Sequence, residues 1–315
     1  MPRYFHFCAH EQFPPDDLLR QAVEAERAGF DGIGCSDHLQ PWWEPGESGH
    51  AWVWLGAAGQ ATERVPLGTG VTPAGPRYHP VLIAQAWATL ETMFPRRPYL
   101  GFGSGESLNE SPLGADWPPV AQQIERMEEA LVLIHRLFAG ERGAYLHTRP
   151  ERQPPIYVSA FGPKAAAVAG RQGDGVWTLA DPETVPTVVD AYRSAAEDAG
   201  KEPGEILLQA GFSWAEDDDA ALEGARVWKG AQPDEFYTDD WHDPQAMYER
   251  GEQQVSDDEL KQGFIIGSDP GMHVERIREV EKLGATTVVL MNNSGADPHG
   301  AIRTYGEKVL PALKG

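Results

Sequence analysis

Short apolar runs alternate with amphipathic helical patterns along the whole chain. The runs are typical of buried parallel strands, because they are mostly apolar on both faces. They predict strands at 3–9, 31–36, 65–71, 98–103, 155–160, 174–179, 206–214 and 286–291. Eight strand–helix units in 315 residues predict one α/β domain, a (β/α)8 TIM barrel with its active site at the carboxyl ends of the strands.

The segments between the strands have helical periodicity. The first pattern begins with Asp16 or Asp17 as the expected N-cap and stops at Gly29. A longer pattern places five apolar side chains on one face, namely Ile124, Met127, Leu131, Ile134 and Phe138. Polar, proline-containing stretches at 140–153 and 231–258 are predicted to be insertions. A doubly wound sheet is the alternative fold, but the segment after the first strand lacks the G-x-G-x-x-G phosphate turn.

Charge narrows the possible partners. The chain has 48 acidic and 26 basic residues, a net charge of −22, which disfavours nucleic acid and anionic membranes. This balance fits either a salt-loving source or an ordinary acidic enzyme.

No apolar run approaches the roughly 20 residues of a membrane span, and no signal peptide is evident, so we expect a cytoplasmic protein. Cys8 and Cys35 have no metal-like spacing, and we expect buried free thiols and no metal site.

Polar residues follow several predicted strands. The second strand is followed by SDHLQPWW with His38 and Trp42, and the fourth by GSGESLNE with Glu106. An imidazole and a carboxyl group facing one cavity can serve as separate proton-transfer groups, and an indole can stabilise positive charge. Each residue alone has a structural explanation: His38 as a hydrogen-bonding residue, Trp42 as packing, Glu106 as a carboxylate at a helix N-terminus. Their coincidence at one barrel face favours an active site.

Two long motifs, SDHLQPW at 36–42 and GSGESLNE at 103–110, carry a resemblance to a known family. With shorter matches such as LGTGVTP at 67–73, they resemble the luciferase-like flavin and deazaflavin oxidoreductases. The likeness covers nearly the whole chain and implies a bacterial-luciferase-like barrel. In particular, the chain resembles the group around glucose-6-phosphate dehydrogenases that use coenzyme F-420 (F420, an 8-hydroxy-5-deazaflavin). Through HEQFPP, AWVWLGAAGQAT and GADWPP, it resembles even more closely a subgroup of this family that is described as FMN users.

The resemblance implies a role for each matching residue. His38 would take the proton of a substrate hydroxyl, Trp42 would stabilise the transition state, and Glu106 would protonate the deazaflavin as hydride arrives. A cis peptide bond is implied between Gly70 and Val71, and backbone amides of 160–162 would hold the cofactor phosphate. The full set of implied cofactor-binding residues is Asp37, Gly70, Val71, Ser104, Gly105, Glu106, Asn109, Ala160, Phe161 and Gly162.

One departure from the family pattern concerns the substrate. The glucose-6-phosphate enzymes hold the substrate phosphate with two lysines and an arginine. Here Gly211 stands near the first lysine position, Lys261 is displaced from the second by about one residue, and the arginine has no clear counterpart. A dianion needs paired positive charge. The sequence therefore predicts a small, uncharged alcohol, sugar or carbonyl substrate.

Three function classes follow from the sequence. The preferred class is an F420-dependent dehydrogenase or reductase, although the anionic tail of F420 should be repelled by a −22 protein unless salt or local basic residues compensate. The second is an FMN-dependent oxidoreductase or monooxygenase, which would consume oxygen. The third class is a cofactor-free binding protein, in which the motifs at the rim would have no function. Relatives are commonly dimers, so the resemblance also implies a homodimer.

Overall fold

The computed structural model describes residues 1–114, 116–143 and 145–315. Within these ranges, eight parallel strands close into a barrel, and a ninth, very short strand pairs with one of them. Closure is complete because β1 pairs with both β2 and β9, and β6 pairs with β7. The strands are β1 Arg3–Cys8, β2 Gly32–Cys35, β3 Leu67–Pro73, β4 Pro98–Gly103, β5 Ile156–Ser159, β6 Gly175–Leu179, β7 Glu205–Ser213, β8 Ile265–Ile266 and β9 Thr287–Asn292.

The predicted (β/α)8 barrel is confirmed. All of the predicted strands are present, with ends displaced by no more than two residues. The additional strand, β8, pairs with the end of β7. Its two residues are too few to show any hydrophobic period, so the sequence could not indicate it.

Helices cover the outside of the barrel and connect successive strands. Their bounds are α1 Pro15–Ala28, α2 Ala51–Ala61, α3 Pro80–Met93, α4 Ser107–Glu110, α5 Val120–Ala139, α6 Pro163–Gln172, α7 Val185–Asp198, α8 Asp218–Arg226, α9 Pro244–Gln254, α10 Asp257–Gly263, α11 Pro270–Lys282, α12 Pro298–Thr304 and α13 Leu310–Lys314. Among the described residues, no helix is long and apolar enough to cross a membrane.

The predicted cap of the first helix was wrong. Helix α1 begins at Pro15, whose fixed φ and missing N–H suit the first helical position, and its N-cap is Pro14. Asp16 and Asp17 therefore lie in the first turn instead of capping it. The predicted stop at Gly29 is confirmed, because this residue has φ 96° and closes the helix in the left-handed region. In α5, the predicted apolar face is at least partly buried along its whole length.

Aromatic rings fill the barrel interior opposite glycines. A Cβ atom on Gly32 would lie 2.5 Å from the ring of Phe5, and one on Gly70 would lie 2.7 Å from Trp177. The Phe7 ring packs edge-on against Trp177, with centroids 6.0 Å apart. Glycine is needed at these strand positions because the rings occupy the space that a side chain would take.

Two further expectations concern the cysteines and the insertions. Cys8 and Cys35 are buried free thiols on neighbouring strands, as predicted.

The first predicted insertion, 140–153, forms short turns, and its residue 144 lies outside the described residues. The segment 231–258 contains a short 3-10 helix at Asp234–Tyr237, the whole of α9 and the start of α10. It is therefore largely helical.

Candidate active site

The predicted site residues lie at the carboxyl-terminal rim of the barrel. His38 and Trp42 follow β2, Glu106 follows β4, and the turn 160–162 follows β5. Two prolines within residues 36–50 prevent a regular element there, so this segment crosses the rim as an irregular loop. The loop is held in place where the His10 ring contacts the carbonyl of Gly49 at 2.9 Å.

The turn after β4 explains why Glu106 faces the cavity. Gly105 has φ 88°, a conformation that is strained for residues with a Cβ atom, so the reversal of the chain requires glycine here. Glu106 is the next residue and precedes the short helix α4. Asn109 follows one helical turn later and donates a hydrogen bond to Glu106 Oε2 at 3.2 Å. The turn therefore presents Glu106 and Asn109 to the same space.

His38 lies between two carboxyl groups. Its Nε2 atom is 3.5 Å from Glu11 Oε1 and 3.5 Å from Glu106 Oε2. Its Nδ1 atom is 3.3 Å from the carbonyl of Gln40. The Asn109 Nδ2 atom is also 3.3 Å from this Nδ1 atom. A carbonyl oxygen only accepts hydrogen bonds and an amide N–H only donates them, so the two contacts favour opposite tautomers of the neutral imidazole. The Trp42 ring lies 5.4 Å from the imidazole, centroid to centroid.

Burial makes all three titratable groups favour their neutral forms. It lowers the pKa of His38 to about 3, with a further contribution from the Arg77 charge. It raises the pKa of Glu11 to about 7, against the opposing hydrogen bond from Ser36. Burial, followed by the charge of Glu11, raises the pKa of Glu106 to about 8. Glu106 keeps 23% of its side chain exposed, against 2% for Glu11, so solvent can reach one carboxyl group and not the other. At neutral pH the site has a neutral imidazole beside a protonated carboxyl group.

Asp37 is buried beside this group of residues and not within it. Its carboxylate accepts hydrogen bonds from Thr72 Oγ1 at 2.7 Å and Tyr78 Oη at 3.2 Å, and its Oδ1 lies 3.3 Å from Arg77 Nη1. The Arg77 guanidinium also lies 3.5 Å from a carboxylate oxygen of Glu110. Protein donors therefore surround the Asp37 carboxylate, and the predicted contact between Asp37 and a cofactor stays a prediction.

The end of β3 forms the backbone bulge that the resemblance implied. The peptide bond between Gly70 and Val71 is cis, and the pairing register with β4 shifts between Thr69 and Thr72. Gly70 and Val71 are partly exposed at the rim, while Thr69 and Thr72 on either side are buried. A short stretch of backbone therefore faces the cavity.

An aromatic row connects the turn after β5 with Trp42. The ring of Tyr237 lies 5.5 Å from that of Trp42 and 5.7 Å from that of Phe161, centroid to centroid. Phe161 is half exposed, Ala160 is buried, and Gly162 caps α6 without any side-chain hydrogen bond to the first turn. Ser104 and Gly105 are partly exposed on the β4 side of the same rim. The structure thus places the predicted rim residues after neighbouring strands at the same end of the barrel.

Two members of the site were missed in the sequence. Glu11 comes after β1 in HEQFPP, a motif whose signal was only the resemblance, and nothing in its spacing indicated that it would meet His38. Tyr237 belongs to the predicted insertion, 131 positions after Glu106, and only tertiary contacts bring it to the rim. Within the described ranges, no group of three or more potential ligands could hold a metal ion.

Comparison with known proteins defines the family. The model of the luciferase-like monooxygenase family matches residues 3–287, and the chain belongs to that family. It is 38% identical to an F420-dependent glucose-6-phosphate dehydrogenase of Microbacterium testaceum, covering 99% of this chain and 97% of the relative. It is 35% identical to an F420-dependent hydroxymycolic acid dehydrogenase of Mycobacterium tuberculosis, covering 97% of this chain and 87% of the relative.

A solved structure shows the same architecture. An F420-dependent secondary alcohol dehydrogenase, in complex with an F420-acetone adduct, superposes with a TM-score of 0.95 at 31% identity and covers 99% of both chains. An F420-dependent tetrahydromethanopterin reductase from Methanopyrus kandleri has a TM-score of 0.81 at 21% identity, which shows the shared fold. The predictions of an oxidoreductase and of the luciferase-like class are confirmed. The names of these relatives agree with F420 as the preferred cofactor.

Proposed function

We propose that this chain is an F420-dependent oxidoreductase that transfers a hydride between its cofactor and a small, unphosphorylated alcohol or carbonyl compound. The observation that carries the proposal is the neutral imidazole of His38 between the carboxyl groups of Glu11 and Glu106, beside the Trp42 ring. A proton acceptor and a proton donor in one cavity are what alcohol oxidation coupled to deazaflavin reduction requires.

The rim residues fit a planar cofactor with a phosphate-bearing tail. The partly exposed bulge at Gly70 and Val71 places the backbone of a glycine at the rim, against which a ring can lie. The turn 160–162 leads into α6, whose first N–H groups lack a side-chain cap and suit a phosphate. Asn109 and Glu106 follow β4, the strand that pairs with both β3 and β5, and present polar atoms between the bulge and this turn.

The chain's own groups supply the proton transfers. When bound, F420 provides the carbon that accepts or returns a hydride. In the tautomer that carries its proton on Nδ1, His38 would accept the proton of a substrate hydroxyl at Nε2. Glu106 holds a proton at neutral pH and can donate it when a neighbouring group becomes basic. Glu11, with a pKa of about 7, can take up the proton that reaches His38.

The position of Gly211 argues against a phosphorylated substrate. A Cβ atom there would lie 2.0 Å from two ring atoms of Phe264, which is buried. The ring occupies the space in which the family's first phosphate-binding lysine would begin. Several relatives are named glucose-6-phosphate dehydrogenases, but this chain lacks the room for that residue unless Phe264 moves.

The nearby cations do not replace this lysine. Lys261 is exposed on α10, where its charge helps to lower the pKa of Asp218 after the larger effect of hydrogen bonds from Ser268. Arg77 is nearly buried and already lies beside the carboxylates of Asp37 and Glu110. A phosphate dianion entering this cavity would also meet Glu11 and Glu106. These contacts favour an uncharged substrate.

A parallel titration with F420 and FMN tests the cofactor. Apo-protein is titrated with each ligand at low and at high salt, with ligand fluorescence as the signal. We expect tight binding of F420, strengthened by salt because screening weakens repulsion between the cofactor tail and a −22 protein. Tight binding of FMN alone, with oxygen consumption when reduced flavin is supplied, would establish the alternative function. Robust turnover of glucose 6-phosphate would refute the substrate class.

We also propose that the protein is a homodimer, formed through α2 and α3. Helix α2 carries no charged residue, and the single charge on α3, Glu91, is buried. Val53 on α2 is 74% exposed, and Leu82 on α3 is 57% exposed. A second copy can cover this face without bringing two acidic surfaces together. Light scattering should show a dimer, and Val53→Asp should shift it to monomer; a monomeric wild-type protein would refute this proposal.

A further inference from the structure

Tyr237 covers the indole that is predicted to face the substrate. Its ring centroid is 5.5 Å from that of Trp42, and Trp42 keeps only 4% of its surface exposed. On the other side, Tyr237 packs edge-on against Phe161, 5.7 Å away. Access to Trp42 is therefore limited by Tyr237.

The ring of Tyr237 is fixed in this position from two directions. Its hydroxyl donates a hydrogen bond to the carbonyl of Ala231 at 2.7 Å. The preceding residue, Phe236, is fully buried and packs against Trp241, with centroids 5.1 Å apart. A side chain anchored at its hydroxyl and supported by a buried neighbour presents a rigid surface.

The segment that carries Tyr237 is bound to the turn that carries Glu106. Ser107 donates through Oγ to the carbonyl of Trp241 at 2.7 Å and accepts a hydrogen bond from the Trp241 N–H at 2.9 Å. Gln40 Nε2 donates to the carbonyl of His242 at 3.1 Å and to that of Leu108 at 2.9 Å. The insertion therefore has a defined position relative to Glu106 and His38.

The chemical character of Tyr237 excludes a role in proton transfer. Burial raises the pKa of its phenol far above the usual value, and the charges of Glu106, Asp234 and Glu11 raise it further. The hydroxyl stays protonated, and it donates this proton in the hydrogen bond to the Ala231 carbonyl. Tyr237 therefore contributes an aromatic surface, which lies beside the aromatic ring of Trp42.

We propose that Tyr237 sets the size limit for the substituents of the substrate carbon, so that small alkyl alcohols and ketones reach His38 and larger ones do not. This inference rests on the proposed function, because it assigns a specificity role within that reaction. An anchored ring above Trp42 restricts the space in which the non-reacting groups of a secondary alcohol can lie, and two aromatic faces favour apolar groups over hydroxylated ones.

The experiment measures F420 reduction with alkan-2-ols of increasing length, from propan-2-ol to nonan-2-ol, for the wild type and three variants. For Tyr237→Ala, we expect kcat/KM for the longest alcohols to rise at least tenfold relative to propan-2-ol, mainly through KM. Tyr237→Leu should give a smaller change in the same direction. Tyr237→Phe, which keeps the ring, should retain the wild-type order of substrates.

Controls separate this inference from the proposed function. The dissociation constant for F420 should stay within about threefold in all variants, and Tyr145→Ala, at a half-exposed tyrosine away from the rim, should leave the profile unchanged. An unchanged profile in folded Tyr237→Ala and Tyr237→Leu would overturn the size limit while the proposed function stands. Tighter F420 binding by these variants, without a change in substrate order, would also overturn it, because Tyr237 would then occupy cofactor space. A wild type that binds F420 and oxidises none of the alcohols would overturn both.

Discussion

Replacing Glu11 by glutamine should shift the pH dependence of hydride transfer. Both Glu11 and Glu106 lie 3.5 Å from His38 Nε2, so their nearest oxygens are at most about 7 Å apart. Two unit charges at that distance interact by roughly 2.4 kcal/mol at an effective dielectric constant of about 20, which corresponds to about 1.7 pKa units. Glu11 is mostly ionised near pH 8, but solvent reaches the Glu106 side chain, which is 23% exposed, and screens the interaction, so we expect a shift of about one unit.

The direction of the pH shift follows from the charge that the substitution removes. A negative Glu11 disfavours ionisation of Glu106, so Glu11→Gln should lower the pKa of Glu106 from about 8. A reaction that needs protonated Glu106 loses rate above that pKa. The high-pH limb of kcat for F420 reduction should therefore move to lower pH by about one unit.

The assay is single-turnover F420 reduction across pH 5 to 10, with an alcohol that the wild type accepts. Glu47→Gln is the matched control, because Glu47 is exposed and contacts Glu11 only through its own backbone N–H, which donates to the Glu11 carbonyl at 2.8 Å. Its profile should match the wild type. A limb that stays in place in Glu11→Gln, or moves to higher pH, would show that Glu11 does not act on the proton donor.

Three further outcomes are expected. Glu106→Gln should leave F420 affinity within about threefold but slow hydride transfer by about 10²-fold or more, and unchanged turnover would remove Glu106 from the reaction. Gly211→Lys should destabilise the fold by about 1–3 kcal/mol in chemical denaturation without creating glucose 6-phosphate turnover, because its Cβ meets the Phe264 ring. His6 is fully buried, and burial lowers its pKa to about 3 from the unfolded value near 6.5. Since the unfolded state binds this proton more readily, the part of the folding stability that depends on His6 should fall by about 2 kcal/mol between pH 6.5 and 4.5. The measurement is the difference in unfolding free energy between wild type and His6→Leu at the two pH values, because the raised pKa values of Glu11 and Glu106 change the total stability in the opposite direction.

The pattern of residues was sufficient to predict the barrel. Each strand of the barrel is a short, mostly apolar run, and this local signal does not depend on distant contacts. The same logic located His38 and Glu106, because a residue that follows a barrel strand lies at the rim wherever the chain goes next. Gly29 was correctly predicted to end α1 because its left-handed conformation is a local requirement.

Other features depend on contacts between distant segments, and for this reason the sequence could not show them. Glu11 meets His38 only because β1 and β2 pair in register at the rim. Tyr237 reaches Trp42 through hydrogen bonds between its own segment and the turn at Ser107, across more than 130 positions. Local composition determined the elements and their order in this protein, whereas the pKa values of the titratable groups and the shape of the cavity arise from burial and neighbours that only the tertiary structure brings together.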